Sequence, residues 1–121
     1  MKSVLLISHG SRSSKTEEEI KLVCDSIRKS LNEVLVDYAF LELQKPSIDE
    51  GIDSCVKRGA TTVILLLNFL NSGTHVDIDI PEIVRQAEKK YPAVSFRMTK
   101  PLGLQSRTVN LFLEILNEEN F

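Results

Sequence analysis

The chain has 121 residues, 42% of them hydrophobic and 26% charged, which is an ordinary composition for one globular domain with one core. Its formal net charge is −2 with acids and bases interleaved, so it lacks the basic surplus of a nucleic-acid-binding protein. No apolar segment approaches membrane-spanning length, and the short apolar N-terminus resembles a strand more than a signal peptide. We therefore expect a single cytoplasmic domain over residues 1–121 that binds neither nucleic acid nor membrane.

The first third of the chain predicts a strand, a helix and a second strand. Residues 2–8 are a short continuous apolar run, which is typical of a strand buried on both faces. Thr16 with Glu19 resembles a capping box, and the apolar spacing that follows predicts an amphipathic helix over 15–31. Residues 34–43 are rich in β-branched and aromatic side chains and predict the second strand.

The middle of the chain continues the alternation. Ser47 with Glu50 forms another capping-box pattern and predicts a helix that ends near Gly59. Residues 61–69 are the most apolar run of the chain, so we expect them to form a central strand. This element order already favours parallel strand pairing, because a helix separates each pair of consecutive strands.

The last third predicts a helix, a strand and a final helix. Asp79 with Glu82 marks a helix start, and residues 94–98 predict a short fourth strand. Residues 105–117 predict the final helix, whose inner face we expect to be Val109, Phe112, Leu113 and Leu116. Further apolar residues widen that stripe and fit either a subunit contact or extra core: Leu111 and Ile115.

The complete order, βαβαβαβα, implies an α/β fold with a four-stranded parallel sheet and helices on both faces. In such sheets, ligands bind beyond the carboxyl ends of the strands. The two histidines of the chain, His9 and His75, directly follow the first and third predicted strands. The topology therefore places both imidazoles on the same rim of the sheet.

Two imidazoles on one rim suit either metal binding or proton transfer. Neutral imidazole binds borderline divalent metals such as Co²⁺, Ni²⁺, Fe²⁺ and Zn²⁺, and it readily takes up a proton near neutral pH. Two histidines alone make an open site, which suits a metal that is handed over better than a structural metal with four closed ligands. The alternative is that each histidine only hydrogen-bonds its own loop.

Motifs for other cofactors are missing. The chain contains no G-x-x-x-x-G-K, no G-x-G-x-x-G and no G-x-S-x-G segment, so we expect no ATP, no organic cofactor and no serine nucleophile. Cys24 and Cys55 lie far apart at apolar helix positions, which predicts buried thiols rather than a disulfide or a metal site.

Three segments carry a family resemblance: SHGSR after the first strand, FLELQKPSIDEGI across the second, and FLNSGTHVDIDIP after the third. From about Val4 to Gly103 the chain resembles the short single-domain sirohydrochlorin cobaltochelatases. They belong to the class II chelatases, together with sirohydrochlorin ferrochelatases and nickelochelatases. The resemblance implies a three-layer, flavodoxin-like chelatase fold. It also implies ATP-independent insertion of a divalent metal, as a substrate, into the tetrapyrrole sirohydrochlorin.

The resemblance also suggests which metal and which pathway. It places Co²⁺ first, for cobalamin biosynthesis, with Fe²⁺ for siroheme as the nearest alternative and Ni²⁺ next. Imidazole ligands do not select among these metals by themselves, because affinity follows the Irving–Williams order. A second hypothesis for the function is a non-catalytic carrier of a tetrapyrrole or a metal. A third is a flavodoxin-like scaffold in a larger assembly.

The resemblance further implies residue roles. His9 is expected to bind the metal and to accept a pyrrole proton, with His75 as the second metal ligand. The loop expected to contact the macrocycle comprises Leu70, Asn71, Ser72, Gly73, Thr74 and His75. The guanidinium of Arg12 is suited to bind the substrate's carboxylates through a two-pronged fork.

One position departs from the family pattern. Many relatives have Glu before the proline that follows the second strand, whereas this chain has Lys45, which is expected to contact substrate. A charged lysine pairs with a substrate carboxylate but neither accepts a proton nor ligates a metal. Glu42 is therefore the nearer carboxylate candidate for metal or proton chemistry, and the alternative is that it points into the helix layer. Longer relatives carry two such domains in one chain, so a single domain is expected to form a homodimer with a shared cleft.

Overall fold

The computed structural model describes residues 1–120, and its centre is a sheet of four parallel strands. The strands are β1 (Lys2–Ser8), β2 (Val34–Phe40), β3 (Thr62–Leu67) and β4 (Ser95–Met98). Within these residues, α-helices follow the strands in turn: α1 (Ser14–Ser30), α2 (Ile48–Lys57), α3 (Ile80–Lys90) and α4 (Thr108–Glu118). The predicted α/β class, a four-stranded parallel sheet with helices on both faces, is confirmed.

The strand order is β2-β1-β3-β4, so the direction of winding reverses between β1 and β3. The connection from β1 to β2 runs through α1 on one face, whereas α2 and α3 lie on the other face. The loops that follow β1 and β3 therefore diverge to opposite faces and leave a crevice between them. This crevice is where open α/β sheets bind their ligands.

Alternation of side chains along the strands builds a separate core on each face. Leu5 and Leu65 point toward α2 and α3, while Leu6 points toward α1. Cys24 and Cys55 are free thiols, buried one on each face, as predicted. Burial raises the pKa of both thiols, which keeps them protonated and away from metal or nucleophilic chemistry.

The second helix begins as the sequence predicts. Ser47 Oγ accepts a hydrogen bond from the Glu50 N–H at 3.2 Å, and Glu50 Oε1 accepts one from the Ser47 N–H at 3.0 Å. The predicted cap of the first helix is wrong, because α1 starts earlier and Ser13 is its N-cap, accepting from the Lys15 N–H. Thr16 instead lies inside the first turn.

The expected inner face of the last helix is also wrong. None of the residues of α4 is buried, and its main contact is with the short 3₁₀ turn Leu102–Leu104. The apolar spacing correctly predicts the helix itself. Its large apolar side chains are nevertheless exposed, because they pack against neither core of the sheet. Among residues 1–120, no helix combines the length and apolar character that crossing a membrane requires.

Candidate metal centre

Three side chains from three different loops meet at the carboxyl edge of the sheet. His9 follows β1, Glu42 follows β2 and His75 follows β3, and each offers a potential ligand atom within 4.8 Å of the others. His9 Nε2 lies 2.9 Å from Glu42 Oε1, and the two imidazole centroids are 5.3 Å apart. The three side chains are 48%, 48% and 49% exposed. The cluster is therefore reachable from solvent and open on one side.

Backbone pairing places Glu42 beside His9. The N–H groups of Leu41 and Glu42 donate to the carbonyls of Ser8 and His9 at 2.9 and 3.0 Å, which extends the β1–β2 hydrogen-bonding ladder past the end of β2. The strand predicted over 34–43 thus ends earlier, at Phe40, but the paired segment that follows it aligns the Glu42 carboxylate with the His9 imidazole.

Gly10 makes this close approach possible. Its φ is +100°, a conformation that favours glycine, and a Cβ at this position would lie 1.8 Å from the Glu42 carbonyl oxygen. The next residue adds a second link, because the Ser11 N–H donates to Gln44 Oε1 at 2.9 Å. The loops after β1 and β2 are therefore held together, and the side chains of His9 and Glu42 with them.

His75 is oriented by a carboxylate that the sequence analysis assigned a different role. It opens a π-helical turn, His75–Asp79, that runs directly into α3, and its Nδ1 lies 2.8 Å from Asp79 Oδ2. Asp79 was expected to cap a helix together with Glu82, but it has helical dihedrals and makes no capping hydrogen bond. The H-x-x-x-D spacing, one helical turn, is the sequence signal for this pair. In the neutral imidazole whose Nδ1–H donates a hydrogen bond to this carboxylate, the lone pair of Nε2 is left for a metal.

Replacing Asp79 by alanine is expected to weaken Co²⁺ binding about 10- to 100-fold, the usual effect of removing a carboxylate that orients a metal-binding imidazole. Calorimetric titration of the metal-free protein with Co²⁺ measures this affinity. Asp77→Ala is the matched control, because Asp77 is an exposed carboxylate on the same turn. Equal affinity of both variants would show that Asp79 does not position His75.

The structure places the remaining predicted residues around the cluster in different ways. The loop from Leu70 to Thr74 is exposed, and Leu70 presents an apolar side chain that is 68% exposed. Arg12 is exposed on the segment between β1 and α1. Lys45 is not part of the histidine cluster, since its side chain is 85% exposed and its ammonium lies 3.5 Å from Glu50 Oε2 at the start of α2.

A glycine that the sequence analysis did not select supports the loop after β3. The Gly103 N–H donates to the Phe69 carbonyl at 3.0 Å, and a Cβ on Gly103 would lie 1.8 Å from the Leu70 carbonyl oxygen. The segment after β4 thus packs directly against the loop after β3. Gly103 is required because its backbone contacts the distant Leu70, so no local sequence motif predicts it.

The structure thus joins two imidazoles and a carboxylate at the winding reversal of a parallel α/β sheet. The family model CbiX matches residues 3–119, and the chain belongs to this family.

The relatives include enzymes named for two metals. The chain is 31% identical over 120 residues to a sirohydrochlorin ferrochelatase of Priestia megaterium, covering 99% of this chain and 45% of the relative. It is 33% identical over 122 residues to a sirohydrochlorin cobaltochelatase of Methanosarcina acetivorans, covering 95% of this chain and 94% of the relative. Among solved structures, the chelatase SirB of Bacillus subtilis subspecies spizizenii in complex with cobalt superposes with a TM-score of 0.84 at 30% identity. That match covers 98% of this chain and 51% of SirB, so the chain spans about half the length of its longer relatives.

Proposed function

We propose that this chain is a sirohydrochlorin chelatase, which inserts a divalent metal into the tetrapyrrole without ATP. The observation that carries the proposal is the meeting of His9, Glu42 and His75 in one open cluster. The names of the relatives, sirohydrochlorin ferrochelatase and sirohydrochlorin cobaltochelatase, supply the substrate class. We propose Co²⁺ as the preferred metal, with Fe²⁺ and Ni²⁺ as the alternatives that the same ligand types accept.

The reaction needs both a metal donor and a base. Insertion releases two pyrrole N–H protons and adds one M²⁺, so the charge and the protons balance. His9 and His75 hold the metal through imidazole nitrogens, and the cluster is about half exposed to an incoming ring. As the metal passes to the ring, Glu42 accepts one proton and the released His9 imidazole accepts the other. The 2.9 Å separation of His9 Nε2 and Glu42 Oε1 keeps these two acceptors adjacent.

The surroundings of the cluster fit a flat, carboxylate-bearing ligand. Leu70 offers apolar contact, and the neutral polar side chains of Asn71, Ser72 and Thr74 offer hydrogen bonds. Arg12 and Lys45 supply positive charge for the substrate's carboxylates. Because the ligand side chains are about half exposed in one copy, we propose that two single chelatase domains form a homodimer with a shared cleft.

Anaerobic visible absorbance of sirohydrochlorin tests the proposed activity. The substrate is mixed with Co²⁺, Fe²⁺ or Ni²⁺ and a catalytic amount of the protein. A spectral change to the metallated form over many turnovers is the expected result, and the relative rates rank the metals. A change only in proportion to the added protein would instead identify a carrier and overturn the chelatase proposal.

Lys45→Glu is expected to raise the KM for sirohydrochlorin about 5-fold while leaving kcat nearly unchanged, because an exposed charge contributes modest attraction and takes no part in the chemistry. The steady-state absorbance assay separates the two constants. Lys57→Glu, which reverses an exposed charge in the last turn of α2, is the matched control. An unchanged KM in Lys45→Glu would remove Lys45 from the substrate site.

A further inference from the structure

The side-chain amide of Gln44 joins the loop after β2 to the loop after β1. Its Oε1 accepts a hydrogen bond from the Ser11 N–H at 2.9 Å, and its Nε2 donates one to the Ser13 carbonyl at 3.2 Å. Gln44 is half-buried, and the two backbone groups that it binds lie 33 and 31 positions earlier in the chain. These two hydrogen bonds, the Gln44 clamp, have no part in the metal and proton chemistry of the cluster.

A strained turn brings Gln44 to this position. The Gln44 N–H donates to the Glu42 carbonyl at 2.8 Å, and Leu43 between them has a φ of +68°. This is a γ-turn of the rare kind, with a positive φ at a residue that carries a side chain. Such a conformation persists only where its surroundings hold it, and it is typical of functional sites. The clamp is one of the contacts that hold this turn.

The clamp fixes the backbone on both sides of Arg12. Gln44 binds the Ser11 N–H and the Ser13 carbonyl, and Ser11 Oγ also accepts from the Ser13 N–H at 2.9 Å. The side chain of Arg12 is exposed, and none of the ion pairs among residues 1–120 involves it. A guanidinium without a carboxylate partner is thus carried on a turn that is held at both ends.

Arg12 is close to the metal cluster along the chain. It lies three positions after His9, so their two Cα atoms are at most about 11 Å apart. A guanidinium binds a carboxylate through two parallel hydrogen bonds, and this geometry depends on how the guanidinium is oriented. A loop that must be ordered when the ligand binds lowers the affinity, whereas a loop that is already fixed does not.

The metal ligands have contacts of their own. The Glu42 N–H donates to the His9 carbonyl at 3.0 Å, and the backbone of Gly10 packs directly against the Glu42 carbonyl. These backbone contacts remain when the Gln44 amide is removed. Loss of the clamp is therefore expected to affect Arg12 more than the metal cluster.

We propose that Gln44 is a positioning residue for substrate recognition. Its amide holds the turn Ser11–Ser13, so that Arg12 is preorganised to bind a peripheral carboxylate of the tetrapyrrole. The inference rests on the proposed chelatase function, because it takes sirohydrochlorin as the carboxylate-bearing ligand. It makes Gln44 a determinant of the KM for sirohydrochlorin and not of kcat.

Anaerobic absorbance titration with metal-free sirohydrochlorin tests the clamp through a double-mutant cycle. Arg12→Met is expected to raise the Kd about 10-fold and Gln44→Met about 5-fold. Because Gln44 acts through Arg12, the double variant is expected to stay near 10-fold, whereas independent effects would multiply to about 50-fold. Gln86→Met is the matched control, since Gln86 is an exposed glutamine whose Nε2 donates to Glu82 within α3. It is expected to keep the wild-type Kd.

Two further measurements separate positioning from a general loosening of the site. In the metal-insertion assay, Gln44→Met is expected to raise the KM about 5-fold and to leave kcat nearly unchanged. Its affinity for Co²⁺, measured by calorimetry, is expected to equal that of the wild type.

The outcomes distinguish the clamp from the chelatase function. A wild-type Kd in Gln44→Met, or effects that multiply in the double variant, would overturn the clamp alone. A wild type that binds sirohydrochlorin without turnover would overturn the chelatase activity and leave the clamp to the titration. A wild type that does not bind sirohydrochlorin would overturn both.

Discussion

His9→Ala is expected to lower the rate of catalysed metal insertion about 100-fold or more, and His75→Ala is expected to do the same. Either change removes one of two imidazoles whose centroids lie 5.3 Å apart, and His9, next to Glu42, is also the proposed proton acceptor. Loss of a positioned base alone typically costs about 10²- to 10⁴-fold in rate. The anaerobic absorbance assay measures the effect under multiple turnovers.

Glu42→Gln separates proton transfer from metal binding in the same experiment. The amide keeps the shape of the side chain and loses the ability to accept a proton, so insertion is expected to slow while Co²⁺ still binds the two imidazoles. Since all three side chains are about half exposed, the variants are expected to keep the thermal stability of the wild type. Wild-type turnover in both histidine variants would contradict the assignment of the cluster.

Gly10→Ala is expected to reduce the free energy of unfolding by about 3 kcal/mol or more, a value reached only when a substitution forces a steric conflict. A Cβ on Gly10 would lie 1.8 Å from the Glu42 backbone carbonyl, and the φ of +100° is already unfavourable for alanine. The loop that carries Glu42 must move, so activity is expected to fall together with stability.

Gly59→Ala is the matched control for that variant. Gly59 has nearly the same φ, +97°, but a Cβ there would meet nothing within 4 Å. Its expected cost is about 1 kcal/mol, from backbone strain alone. Urea unfolding of both variants measures the difference, and equal losses would show that the contact between the loops after β1 and β2 does not stabilise the fold.

The fold and the position of the site follow from local patterns in the sequence. Buried strands and amphipathic helices in strict alternation leave a parallel sheet as the natural solution, and the structure confirms it. His9 and His75 follow strands that are adjacent in the sheet, so their common rim was predictable from chain order. Glu42 was a candidate for metal or proton chemistry because of its residue type alone, and the structure brings its carboxylate next to His9.

Features that depend on contacts between distant segments were not predictable from local patterns. Asp79 lies three residues before Glu82, as a helix cap would, and four residues after His75, as a hydrogen-bond partner would. The structure shows the second role, because Asp79 has helical dihedrals and its carboxylate contacts His75. The apolar stripe of α4 predicts a helix with a buried face, whereas none of the α4 residues is buried in the described chain. Gly103 is required by a carbonyl that lies 33 positions earlier in the chain, at Leu70.

Anomalous diffraction at the cobalt absorption edge, from crystals soaked in Co²⁺, tests the central claim most directly. The predicted result is one strong peak about 2 Å from His9 Nε2, His75 Nε2 and a Glu42 carboxylate oxygen. The Asp79 carboxylate should remain bonded to His75 Nδ1 in the same crystals. A cobalt peak bound elsewhere, with these three side chains unliganded, would contradict the assignment of His9, Glu42 and His75 as the metal centre.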